Sequence, residues 1–330
     1  MSWRGFQNVI NGQRPASIAL LLICGGLGSA ATAQQSGCYT FVAKKELFVS
    51  CGTDTHRVPL GIAPKFSLQS IAVSSERQYI AFTRKWTVSS NATNLFTDQD
   101  TVLIHLPSNT RTIRKGFRNL VATCGTVLPL SAQATDSPLD VITGEPLPPP
   151  PFQWLRCSAD RSVLLGITSK SPDRLMVQRS GGPMTQVWVV DGSAKFHINI
   201  SADGSHIAHH ADERLCVTSN NTLRGCLPLP SELDLLSVND EGGVLFAAGT
   251  GQGCYYKNAL DFYPKPFPGA TDENLDECLS IAYWQPGMAT AVTKQPLGRS
   301  PQWVSSSFAA ELRRWGRSQA PARAPAAKHE

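Results

Sequence analysis

The signatures that most often reveal an activity are missing from this sequence of 330 residues. There is no G-x-S-x-G elbow, no H-E-x-x-H and no glycine-rich phosphate loop. Their absence argues against a fused α/β-hydrolase, a zincin and a P-loop enzyme. No two cysteines have the C-x-x-C spacing of a zinc knuckle. Net charge is also low. Thirty basic and 25 acidic residues leave +5, and Arg313, Arg314, Arg317, Arg323 and Lys328 crowd the C-terminus. The remaining body has no basic stripe for a phosphate backbone, so nucleic acid is not an expected partner. After residue 33 no apolar run reaches the ~18 residues of a membrane helix, so the mature chain reads as soluble, without a transmembrane segment. No cofactor fingerprint occurs, and no cofactor is expected.

What is present begins with an export leader. Arg4 and Arg14 precede an apolar run from Ile18 to Leu27, and Ala31-Thr32-Ala33 fits a small-residue cleavage site. Cleavage after Ala33 removes residues 1–33 and leaves a net charge of +3, because the leader holds two arginines and no acid. The expected location is periplasmic or secreted. Cys24 does not fit a lipidation site, since Ile23 stands where a small residue is required. Without Cys24, eight of the nine cysteines remain, and an even number in an exported chain points to disulfides. Cys38 with Cys51, and Cys216 with Cys226, each bracket a chain reversal and can cross-link neighbouring strands. Cys124 and Cys157 end inner strands of adjacent units and are the next expected pair. Cys254 with Cys278 remains.

The organising stretch is Ile198 to Ala208, INISADGSHIA. Ile198 and Ile200 alternate with polar residues, Asp203-Gly204 suits a tight turn, and Ser201 can bond the turn backbone. Related copies run from Ile71 to Phe82, Leu155 to Leu165 and Leu236 to Phe246. The residues before each turn are Ser74, Ser158, Ser201 and Asn239, at intervals of 84, 43 and 38. The first interval spans two periods, so Asn119 to Leu130, with Cys124-Gly125 at its turn, supplies the missing copy. Cys278 to Val292 supplies a sixth, with a marker near Trp284 and a turn at Pro286-Gly287. A period of about 40 residues with several short strands per unit is the pattern of a propeller blade.

The reading is therefore all-β: a six-bladed β-propeller over residues 34–304, an amphipathic helix over 305–318 and a disordered tail over 319–330. Outer strands follow each hairpin, with a polar loop from Ser89 to Asp100 in the first unit. One period before Ser74 falls in the leader, so Gly37 to Leu60 can provide only outer strands. These are expected to complete the last blade, around inner strands from Glu277 to Lys294, and so close the ring. Pro148 to Pro151 is an extended connector. Val304, Phe308, Leu312 and Trp315 recur at helical spacing.

The string SADGSHIA in an exported chain with about six units resembles the SPDG-type repeats of TolB-like and other WD40-like six-bladed propellers. The resemblance spans roughly Cys38 to Ser300 and rests most closely on Ser201-Ala202-Asp203-Gly204. It implies the fold and carries no particular activity.

Candidate chemistry is sparse. His206 and His210 share a strand face but stand about 13 Å apart at ~3.3 Å per residue. A single metal does not bridge that span. Asp272, Asn274 and Asp276 alternate like calcium ligands, yet Glu277 and Tyr283 occupy positions where the loop needs Gly and Glu. No metal site is assigned, and these five residues are its only candidates. Arg118, Arg156, His197, Asn199 and Asp234 fall on inner strands and are the candidates to line the channel. The leading functional reading is a monomeric binding or scaffolding protein for a protein, peptide or glycan partner. The alternative is a channel-centred hydrolase or lyase with a bound divalent ion.

Overall fold

The structure is a computed structural model that describes residues 37–90, 95–115, 117, 119–129, 138–149, 155–168, 174–189, 197–211, 213–229, 233–249, 279–295 and 297–319. Among these residues, five four-stranded antiparallel sheets and one two-stranded sheet make a β-propeller. In chain order they begin with β1 (Cys38–Ala43), β2 (Glu46–Cys51) and β3 (Asp54–Val58), and continue with a complete blade of β4 (Ser67–Ser74), β5 (Tyr79–Ser90), β6 (Leu95–His105) and β7 (Thr110–Lys115). The two-stranded sheet is β8 (Leu120–Thr123) with β9 (Thr126–Pro129). Next come β10 (Arg156–Cys157), β11 (Val163–Thr168), β12 (Arg174–Arg179) and β13 (Thr185–Val189). The following blade holds β14 (Ile198–Ile200), β15 (His206–Ala211), β16 (Arg214–Ser219) and β17 (Thr222–Pro228). After it stand β18 (Leu233–Val238), β19 (Val244–Gly249), β20 (Leu279–Trp284) and β21 (Val292–Gln295). The last strand, β22 (Arg299–Val304), joins β1 to give the order β22-β1-β2-β3.

Closure therefore differs from the sequence expectation. Leu279–Trp284 is the third strand of its sheet, with Val244 opposite Trp284 and Gly249 opposite Leu279. It is as buried as an inner strand, which is why its pattern reads as one. The closing blade instead takes one strand from the C-terminal side and three from the N-terminal side, with Cys38 opposite Val304. Trp284 consequently does not end a leading strand, whereas Ser74, Ser158, Ser201 and Asn239 each end or directly follow one. The Ser89–Asp100 stretch also departs from expectation. Its described part is a long hairpin, in which Arg84 is opposite Asp100 and Trp86 opposite Asp98. The Arg84 guanidinium grips both Asp100 carboxylate oxygens, at 2.7 and 2.9 Å, and lies over the Phe66 ring. These cross-strand contacts hold polar residues in a ladder that composition alone assigns to a loop.

The core lies between adjacent sheets, where leading strands bury Ile71, Val73, Ile198, Ile200, Leu236 and Val238. Helix α1 (Ser306–Gln319) begins where the closing blade would make its hairpin turn. The Ser305 hydroxyl caps it by accepting from Phe308 N at 3.2 Å. Phe308, Leu312 and Trp315 pack into the cluster of Val58, Leu60 and Val304. Trp315 Nε1 donates to Asn109 Oδ1 at 2.8 Å, which ties the helix to the β6–β7 turn.

Disulfides join Cys38 to Cys51, Cys124 to Cys157 and Cys216 to Cys226. The first and third link directly opposed strand residues. The second crosses from the two-stranded sheet to the next blade. Such bonds belong to an oxidising or extracellular compartment. Cys254 and Cys278 lie outside the described residues, as do residues 1–36 and 320–330. No helix among the described residues is long and apolar enough to cross a membrane.

Candidate functional site at the centre of the ring

One leading strand from each of the six sheets borders a cavity of about 350 Å3, to which Val73, Val121, Arg156, Asn199, Ser237 and Gln302 contribute. A leading strand presents an unpaired edge, and its amides and carbonyls need partners. Side chains of neighbouring strands provide them. Gln302 accepts from Val73 N at 2.8 Å and donates to Ile71 O at 3.2 Å. The Thr123 hydroxyl accepts from Cys157 N at 2.9 Å and donates to Cys157 O at 3.1 Å. Asn199 Nδ2 donates to Leu236 O at 2.8 Å, and Ser237 Oγ accepts from Trp303 N at 3.1 Å. β22 is thereby stitched to both neighbours, β18 and β4.

Arg156 is the charged exception within this polar belt. It is 5% exposed, and Nη1 donates to its neighbour's carbonyl, Leu155 O, at 2.9 Å. Nε is buried without a partner. Desolvation lowers its pKa to about 10. A buried guanidinium normally has a carboxylate beside it, because the desolvation cost is otherwise uncompensated.

The hairpin turns form the rim on one face. In INISADGSHIA, the Ser201 hydroxyl donates to Asp203 Oδ1 at 2.6 Å, which also accepts from Ser205 N at 2.9 Å. Only Gly204 takes a positive φ, +76°, and a Cβ there would stand 2.5 Å from Val163 Cγ2 of the preceding blade. Asp203 meets its share of the turn by hydrogen bonding rather than by a left-handed backbone. Ser158 and Asp160 repeat the arrangement at 2.7 Å. The Ser158 hydroxyl, followed by Ser162, holds the exposed Asp160 carboxyl down to about 2. Neighbouring turns join through Ala159 N to Ala202 O at 2.7 Å and Asp203 N to Asp240 Oδ1 at 3.0 Å. Burial raises the Asp203 carboxyl, but the bonds from Ser201 and Ser205 outweigh it and leave the pKa lowered. Burial is the main cause of the raised pKa of Asp240.

Of the channel candidates, Arg156 and Asn199 border the cavity. His197 stands just before β14 with its ring edge-on to His210, centroids 5.9 Å apart. Asp234 lies on β18 with its side chain outside the described residues, and Arg118 is wholly outside them. His206 Nδ1 meets Ser205 Oγ at 2.7 Å, while His210 Nε2 donates to Leu229 O at 3.0 Å. The two histidines are not brought together, and no metal-binding group of three or more ligands occurs among the described residues. Asp272, Asn274 and Asp276 lie outside them.

Sequence reasoning missed Gln302, Ser237 and Thr123. Ser237 and Thr123 sit one or two places before a marker, as Arg156 and Asn199 do, and that register is a readable signal. Gln302 has none, because β22 was not recognised as a strand. His209 lies on the opposite face of β15 from His206 and His210, as strand alternation predicts. It is fully buried against Trp188, with ring centroids 5.0 Å apart, and neither ring nitrogen has a partner. Desolvation, with a smaller contribution from His210, lowers its pKa to about 4.

The sheets, their common cavity and the disulfides define a β-propeller of a kind that fits a binding or scaffolding protein. No protein-family model matches the chain, and no curated protein matches it. Among solved structures, a chain in the crystal structure of a nidogen/laminin complex is similar, with a TM-score of 0.51 and 8% identity over 82% of this chain and 98% of that one. The WD40 domain of Neurospora crassa Pan2 aligns with a TM-score of 0.37 and 11% identity, over 63% and 68%. A chain of the mitotic checkpoint complex aligns at 0.40 and 10%, over 78% and 74%. At such identities the likeness concerns the fold alone.

Proposed function

We propose that this chain is an exported scaffold that presents the turn face of a six-bladed ring to a protein, peptide or glycan partner. The observation that carries the reading is the bracing of that face. Turns of successive blades bond one another, a disulfide crosses from Cys124 to Cys157, and Arg161 Nε donates to Cys124 O at 3.2 Å. A face held this way loses little conformational freedom when a partner docks, so less of the contact energy is spent on ordering. The blade count of six is supported by the six leading strands around one cavity. The sheet β8–β9 then stands for the second blade, with Val141 N adding a bond to Val127 O at 2.9 Å. The sequence-based boundaries of leader, ring, helix and tail belong to the same proposal.

The test is made on the full chain expressed with its leader. Recovery outside the cytoplasm, beginning at Gln34 and with its disulfides intact, is expected. Screening against peptide and glycan arrays should then yield a ligand whose hydrogen-exchange footprint covers the turns at Ser158, Ser201 and Asn239, and Ala202→Arg should abolish binding. An uncleaved, reduced cytoplasmic product would contradict export. A footprint confined to the opposite face would contradict the choice of surface.

A further inference from the structure

The geometry points to the central cavity, whose lining also includes the turn residues Ala159, Ala202 and Asn239, as a binding site for a small monocarboxylate held by Arg156. Three observations lead there. Arg156 is 5% exposed and borders a cavity of about 350 Å3, at the small end of the range that holds small molecules. Among the described residues its guanidinium has one protein partner, the Leu155 carbonyl, and Nε is buried unpaired. The other polar side chains of the belt, Thr123, Asn199, Ser237 and Gln302, are committed to the edges of neighbouring strands. Arg156 is the sole cationic side chain among the described residues that border the cavity, and a carboxylate matches the guanidinium fork.

The charges around it narrow the class. Glu76 and Asp240 also border the cavity, from exposed turns beyond the ends of β4 and β18. Arg156 lies two residues before Ser158, whereas Asp240 and Glu76 lie one and two residues past the corresponding Asn239 and Ser74, so these acids stand roughly 10 Å further along the axis at ~3.3 Å per residue. They oppose a multiply charged anion and tolerate a single charge placed at Arg156. Volume and charge together select a short organic acid over phosphate or a nucleotide.

The probe is hexanoate, with hexanamide as its uncharged counterpart and inorganic phosphate as the competing anion, titrated calorimetrically and by melting temperature on the full mature chain. Hexanoate is expected to bind and to raise the melting temperature with concentration, while hexanamide does neither and phosphate binds more weakly. Arg156→Met should weaken hexanoate at least tenfold, and Arg156→Lys should fall between. Equal effects of hexanoate and hexanamide on the wild-type protein would overturn the site without recourse to a variant, as would no binding at tens of millimolar. Unchanged hexanoate affinity in a folded Arg156→Met protein would also overturn it. Tighter binding of phosphate would overturn the assignment to a monocarboxylate.

Discussion

The blade of β14–β17 and the blade that closes the ring have the same four-stranded architecture, but opposite origins in the chain. The first is made from one continuous segment between Ile198 and Pro228, each strand reversing onto the one before it. The second pairs Cys38 with Val304 and depends on both ends of the ring arriving together. Local reversals carry their own signals in Asp203, Gly204 and the Asn220-Asn221 turn. A long-range pair carries none, and its loop-closure entropy is met only by the finished ring. The difference predicts that damage to one blade stays comparatively local, whereas damage to the other opens the propeller.

The largest effect should follow from removing residues 299–330. Losing β22 strips Gln302 and Arg299 from the carbonyls of β4 and leaves β1 and β18 with exposed edges. The truncated chain is expected to lose cooperative thermal unfolding by circular dichroism. A sharp transition near that of the full chain would show that closure is dispensable.

Gly204→Ala comes next. The new Cβ would enter Val163 at 2.5 Å on a backbone at φ +76°. Strain and overlap together should cost roughly 2–4 kcal/mol, read from denaturant unfolding. The ring should still assemble, because the other stitches remain.

His209 adds a pH dependence within the continuous blade. Its pKa is about 4 in the folded chain against an ordinary 6.5, so between those values the unfolded chain binds the additional proton. Stability is therefore complete above pH 6.5 and is lost as pH falls toward 4, by up to about 3 kcal/mol. His209→Phe should flatten that part of the profile, since Phe keeps the packing on Trp188 and does not titrate. An unchanged acid slope would assign the loss to other groups. The carboxyls of Asp160 and Asp203 weaken the fold only further down, as pH falls below their ordinary value.

The smallest effect sharpens the comparison most. Gln302→Ala removes two bonds between β22 and β4, and Asn199→Ala removes one between β14 and β18. Each should cost about 1–2 kcal/mol in denaturant unfolding. Gln302→Ala should be the worse of the two, because Val73 N and Ile71 O lie on the junction that closes the ring.

Much of the fold was legible where the chain folds onto its neighbour. The repeated hairpins, the turn at Cys124-Gly125 and the helix behind Ser305 all appear in the spacing of apolar, turn and capping residues. Three readings failed for physical reasons. Leu279–Trp284 is buried on both faces, so a third strand resembles an inner one. Polar residues at 97–100 pair across a ladder rather than looping. Arg299–Val304 contains Pro301 and little alternation, and its strand character comes from partners more than 200 residues away. At the cavity, Arg156 and Asn199 were identifiable from their place before a marker. Gln302 depended on the unread strand, and the isolation of His209 is a property of three-dimensional packing.

Native-state hydrogen exchange tests most directly the claim that both ends of the chain build one blade. The amides of Arg299–Val304 that bond to β1 should exchange together with those of Cys38–Ala43, by global unfolding and with the same free energy. Rapid exchange of Arg299–Val304 while β1 stays protected would contradict the closure.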